Sequence, residues 1–82
     1  MPTIDKIDGY RVFYYSNDHA PAHVHVTNSN SEAVFLLNCP GGPATLRDKP
    51  HNMASHEANQ LGKLVSKAVA KYCKEWSDFY GQ

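Results

Sequence analysis

The last third of the chain carries the pattern that most limits the fold. Ala58, Leu61, Leu64, Val65, Ala68, Val69, Tyr72, Trp76 and Phe79 recur at intervals of three and four, the period of one face of an α-helix. Ser55 stands in front as an N-cap candidate, so the pattern predicts one long amphipathic helix over about residues 56–79. Unbroken, such a helix is about 36 Å long at about 1.5 Å per residue, whereas a domain of this size has a diameter of about 30 Å. The helix must therefore overhang its sheet, bend near Gly62, or pack its free end on another copy of the chain. Trp76, Phe79 and Tyr80 at that end either close the core over the sheet edge or form an apolar patch suited to a homodimer contact.

The segments before the helix read as strands. Residues 9–16 are dense in aromatic and β-branched side chains and run into Asn17-Asp18, a turn signal. Pro21 constrains the entry to a second strand at 22–27. Asn28-Ser29-Asn30-Ser31 is a polar turn, and the apolar run that follows predicts a third strand at 32–38, covered on both faces. Two prolines and two glycines in Cys39-Pro40-Gly41-Gly42-Pro43 end regular structure, with room for a short fourth strand around Ala44-Thr45-Leu46. The fold class expected is α+β: a small antiparallel sheet of three or four strands against one long C-terminal helix, in a single domain of residues 1–82. A chain of 82 residues buries only about 60–65% of its unfolded surface. A cleft between two domains is excluded, and any site lies on a sheet face, a loop or an oligomer interface.

Eight basic residues balance eight acidic ones, so no global charge draws the chain to nucleic acid or to a membrane surface, and only a local patch can do so. The start, Met1 to Ile7, has neither the basic end nor the apolar centre of a secretory signal, and no stretch approaches the roughly 20 apolar residues of a membrane span. A cytoplasmic protein is expected, with Cys39 and Cys73 as reduced thiols. Zinc held by both cysteines lacks nearby His or Cys partners. Gly41-Gly42 does not continue into a phosphate-binding loop, a serine-hydrolase elbow is absent, and Cys39 reads as a small buried residue rather than a nucleophile.

Chemistry concentrates in Asn17-Asp18-His19-Ala20-Pro21-Ala22-His23-Val24-His25-Val26. On a strand, period two puts His23 and His25 on one face and both valines on the other. Three readings follow. His23 and His25 with Asp18 and His19 make a ligand set for a divalent metal such as zinc. Alternatively, His23 and His25 act without metal as general acid and base, Arg11 holds a scissile phosphate, and Tyr10, Tyr14 and Tyr15 stack unpaired bases. In the third, the tyrosines pack, His19 caps a turn, and the other two imidazoles sit half-buried as hydrogen-bonding groups. On the predicted helix Lys63, Lys67, Lys71 and Lys74 align opposite the apolar face, either as a binding stripe for nucleic acid or an acidic partner, or as a solvated back. His51 and His56 read as surface residues.

Met1-Pro2-Thr3-Ile4, Asp8-Gly9-Tyr10-Arg11, Tyr14-Tyr15-Ser16-Asn17-Asp18-His19 with Pro21, His23-Val24-His25-Val26 and Trp76 resemble the small bacterial proteins grouped as domain of unknown function 4160. The usual histidine segment there has two adjacent prolines, and Ala22 takes the second place here. The resemblance implies an antiparallel sheet with a C-terminal helix, and no reaction. It also implies a setting, since such proteins are often encoded beside another small protein in the manner of toxin–antitoxin pairs. Two functions are therefore expected: a protein-interaction module of a two-protein regulatory or toxin–antitoxin-like pair, or a small RNA-cleaving or metal-dependent phosphodiesterase using the histidines.

Overall fold

Asp8 and Gly9 both take positive φ, 50° and 82°, as the tight two-residue turn of a β-hairpin requires. They reverse the chain between β1 (Thr3–Ile7) and β2 (Tyr10–Phe13). The computed structural model describes residues 3–14 and 21–80. It continues with β3 (His23–Thr27), β4 (Glu32–Leu36), β5 (Thr45–Leu46), α1 (Ser55–Lys67) and α2 (Val69–Tyr80). Each strand pairs antiparallel with the next in the order β1-β2-β3-β4-β5. The sheet thus has five strands rather than three or four, because β1 precedes the first expected strand and the optional strand at Thr45–Leu46 forms. Between β3 and β4, the Asn28 side-chain oxygen accepts the backbone N–H groups of Asn30 and Ser31 at 2.9 and 2.8 Å, a local turn that fixes the register.

Both helices cover one face of this sheet. Val12, Val24, Val26 and Phe35 pack there against Leu61, Val65, Val69 and Tyr72. Gly62 is a point of close approach rather than a bend, since a Cβ on it would lie 3.2 Å from the Phe35 ring. The chain breaks instead at Ala68, whose φ of −107° and ψ of 11° leave the helical range. Its N–H bonds the Val65 carbonyl at 3.0 Å, a three-residue turn that tightens and ends α1. One long helix is therefore two. Ser55 is not the cap either: Ala54 takes that position without a side-chain hydrogen bond.

Beyond Ala68, α2 reaches the first strand of the sheet. The fully buried Tyr72 donates its hydroxyl to the Asp5 carboxylate at 2.8 Å, and Lys71 Nζ lies 3.4 Å from the same carboxylate. The Tyr72 hydroxyl, then the Lys6 backbone N–H, hold the Asp5 carboxyl below its ordinary pKa against the opposing effect of burial, with help from Lys71. Burial, followed by Asp5, pushes the Tyr72 phenol well up. A carboxyl depressed in the folded state adds stability above its unfolded pKa and loses it as pH falls through the folded value. Tyr72→Phe is thus expected to cost about 1–2 kcal/mol near neutrality and to flatten the acid limb, as urea unfolding across pH would read.

The cysteines depart from expectation. Cys39, in the turn after β4, is joined to Cys73 of α2 in a disulfide with Cα atoms 5.9 Å apart. Reduced thiols were expected from their separation in sequence, but α2 packs on the turn that carries Cys39 and brings the two together. No described helix is long and apolar enough to cross a membrane.

Candidate functional site

Alternation on β3 places its side chains as period two requires. Val24 and Val26 enter the core beneath the helices, and His23 and His25 face away with ring centroids 5.3 Å apart. The second face is not open, however: His23 and His25 are only 4% and 7% exposed. The His23 ring lies 5.2 Å from the Trp76 ring, and His25 stacks on Phe13 at 5.4 Å. Trp76 is therefore buried rather than part of an exposed aromatic end; Phe79 is 45% exposed, and the Tyr80 side chain lies outside the described residues. Each imidazole is oriented through Nδ1. That of His23 is 2.8 Å from the Pro21 carbonyl oxygen and that of His25 is 3.1 Å from the Glu32 carboxylate. Both partners only accept, so Nδ1 carries a proton in each ring.

Tyr10 and Tyr14 are committed to packing. Tyr10 donates its hydroxyl to the Glu57 carboxylate and Tyr14 to the Glu75 carbonyl at 3.1 Å, and both are buried, which removes them as base-stacking platforms. Tyr15, and the ligand candidates Asp18 and His19, lie outside the described residues. Among the described residues no group of three His, Cys, Asp or Glu side chains is placed to hold a metal ion; of the expected zinc set His23 and His25 are the two that are described, and they stand side by side. Arg11 is exposed and shares their face, its guanidinium 4.9 Å over the Phe13 ring. Phe13 thus stands between the cation and His25.

The lysine stripe divides. Lys71 faces Asp5, and Lys74 pairs with Asp78 at 2.8 Å, an acidic partner one turn along that belongs to the helix itself. Lys63 and Lys67 make no ion pair among the described residues. His51 and His56 are exposed, as expected.

Beside Lys63 lies a feature that periodicity could not show. Because β5 has only two residues, the sheet stops short of α1 and leaves a groove of about 650 Å³, lined by Phe35, Ala44, Leu46, Ala58, Gly62 and Lys63. Gly62, having no side chain, lets α1 close onto the buried Phe35 ring at its floor, and the Ala44 N–H, bonded to Ser66 Oγ at 2.9 Å, ties the strand to the helix. Leu46 is 37% exposed. The Arg47 N–H is taken by the Val34 carbonyl at 2.9 Å, so by the alternation of an antiparallel ladder the Leu46 N–H faces the unpaired edge. The signals in sequence were slight: a two-residue apolar stretch after a proline–glycine turn, and one glycine inside a helix.

No curated protein and no solved structure matches the chain. A family model does, over residues 9–77, a span that holds the histidine strand, the groove and Trp76. The chain belongs to the family described as domain of unknown function (DUF4160).

Proposed function

We propose that the chain is the interaction module of a two-protein regulatory or toxin–antitoxin-like pair, and that its partner adds an extended segment to the open edge of β5. The observation that carries this reading is the apolar groove beside an unpaired strand edge, with Lys63 in its lining and Lys67 a turn further along α1. Strand addition supplies backbone hydrogen bonds, and a side-chain pocket beside the edge supplies selectivity. Two lysines without ion pairs favour an acidic segment. Co-expression with the product of the adjacent gene is expected to give a complex of defined stoichiometry. Leu46→Asp, which puts a carboxylate at the groove, should weaken it about tenfold to a hundredfold. A wild type that stays a monomer beside that neighbour sinks the reading. A homodimer instead would place the contact on α2 at Phe79, the other large apolar side chain left exposed among the described residues. The pair is proposed to act in the cytoplasm, where the Cys39–Cys73 link has to persist against a reducing thiol pool.

A second reading is favoured by one observation, the Glu32–His25 contact, since a carboxylate on Nδ1 orients an imidazole for proton transfer at Nε2. There His23 and His25 cleave RNA with Arg11 as the cation, or use a divalent metal. It requires both rings to be reachable by substrate and dispensable to the fold.

A further inference from the structure

On the sheet face away from the helices, Lys6, Arg11, Thr27 and Glu32 form one row, each the cross-strand partner of the next across β1, β2, β3 and β4. Lys6 and Arg11 stand directly opposite each other, an arrangement of like charges that destabilises a sheet. No carboxylate among the described residues relieves it. Asp8, two residues from Lys6, lines a depression on the helix side with Gln60, Lys63 and Lys67. Asp5 is engaged by Tyr72 and Lys71, and Glu57 by Tyr10. Glu32, the acidic residue of the row, lies two strands from Arg11 and is in contact with His25. Among the described residues neither the Lys6 ammonium nor the Arg11 guanidinium has a hydrogen-bond or ion-pair partner, and both side chains are exposed.

The two cations border a basin whose remaining wall is Gly9, Tyr10, Thr27, Asn28 and Ser29. Gly9 belongs to the first hairpin turn, and its lack of a side chain opens the backbone of that turn to the basin. Asn28 is held rigid, because its side-chain oxygen already accepts two backbone N–H groups. Arg11 is steadied from behind by the face of Phe13. Neighbouring strands are about 4.8 Å apart, so an ammonium and a guanidinium from opposed positions reach the same tetrahedral anion, the guanidinium by two parallel N–H bonds.

We propose that Lys6 and Arg11, with the rigid turn at Asn28–Ser29, form a binding site for a phosphate group. The site lies on the sheet face opposite the docking groove and is independent of it. The phosphate comes either from a small phosphorylated molecule or from the backbone of a single-stranded nucleic acid. Titrating the full chain with inorganic pyrophosphate, and separately with a short single-stranded RNA, while recording amide chemical shifts distinguishes the two. Saturable shifts are expected at Lys6, Gly9, Arg11 and Asn28–Ser31, with Lys63 and Lys67 unmoved. Arg11→Ala is expected to weaken binding about tenfold to a hundredfold, and Lys6→Ala to weaken it less. Both residues are exposed, so the variants should keep the wild-type spectrum elsewhere. Shifts with both probes at similar midpoints mark the phosphate alone as the ligand, whereas tighter RNA binding that falls steeply with salt marks the backbone. Absence of shifts with either probe, shifts centred on Lys63 and Lys67, or undiminished binding by the Lys6→Ala, Arg11→Ala variant overturns the proposal.

Discussion

Replacing His23 and His25 together by alanine is expected to lower the unfolding free energy by about 4–6 kcal/mol, through two ring-sized cavities and the loss of two hydrogen bonds. The rings are 4% and 7% exposed. His23 packs edge-on to His25 and against Trp76, and His25 stacks on Phe13, so the cavities open at the centre of a stacked group. The Pro21 carbonyl loses the His23 N–H, and Glu32 loses its contact with His25. At roughly 0.05–0.15 kcal/mol per residue an 82-residue domain holds about 4–12 kcal/mol in all, so the double variant should lose from about a third to all of its stability at 25 °C. Chemical denaturation followed by near-ultraviolet circular dichroism, which reports the packing of Trp76, reads this directly. A variant with wild-type stability that had lost RNA cleavage or growth arrest on expression would reverse the conclusion and make the histidines catalytic.

Opening the Cys39–Cys73 link is expected to cost about 3–4 kcal/mol, mainly by releasing the unfolded chain from a loop closed over 34 residues. Cys39→Ser with Cys73→Ser, or reduction of the wild type, should lower the urea midpoint with little change in folded secondary structure. The effect should also reach the groove. The turn between the two cysteine-bearing elements packs on α2 at Val69, where a Cβ on Gly42 would come within 3.3 Å of a valine methyl, and the same turn leads directly into β5. Loss of the link therefore loosens the strand whose edge is open. Equal midpoints for wild type and the double serine variant would show that the link contributes nothing to stability.

How far the fold could be read depended on whether a feature is local. His23 and His25 fell on one face because period two is a property of the backbone, and the polar residues Asn28–Ser31 announced their turn. β1 escaped because Asp5 and Lys6 interrupt its apolar pattern, although Asp8-Gly9 already carried the hairpin signal. The break at Ala68 has no glycine or proline to mark it and arises from a hydrogen bond three residues back. The apolar spacing through Val69, Tyr72 and Trp76 held past the break, but the partners that those positions meet were not legible: Trp76 over His23, Tyr72 on Asp5 and Cys73 beside Cys39 are contacts with residues far off in the chain. The lysine stripe was visible as spacing, but Asp5, the residue that engages Lys71, comes from a strand 66 positions away. The groove was the least legible, since it is the space left when a strand is too short, and nothing in Thr45-Leu46 taken alone states its length.

Backbone hydrogen exchange of the chain, free and bound to the product of its adjacent gene, tests the docking surface most directly. The Leu46 amide, which faces the open edge, should exchange rapidly in the free protein and slow markedly in the complex, with protection extending over the Asn59–Lys63 turn of α1 that borders the groove. Unchanged exchange at Leu46, with protection appearing instead around Phe79 or across the Lys6–Arg11 hairpin, would contradict strand addition at β5 and move the partner to another face of the sheet.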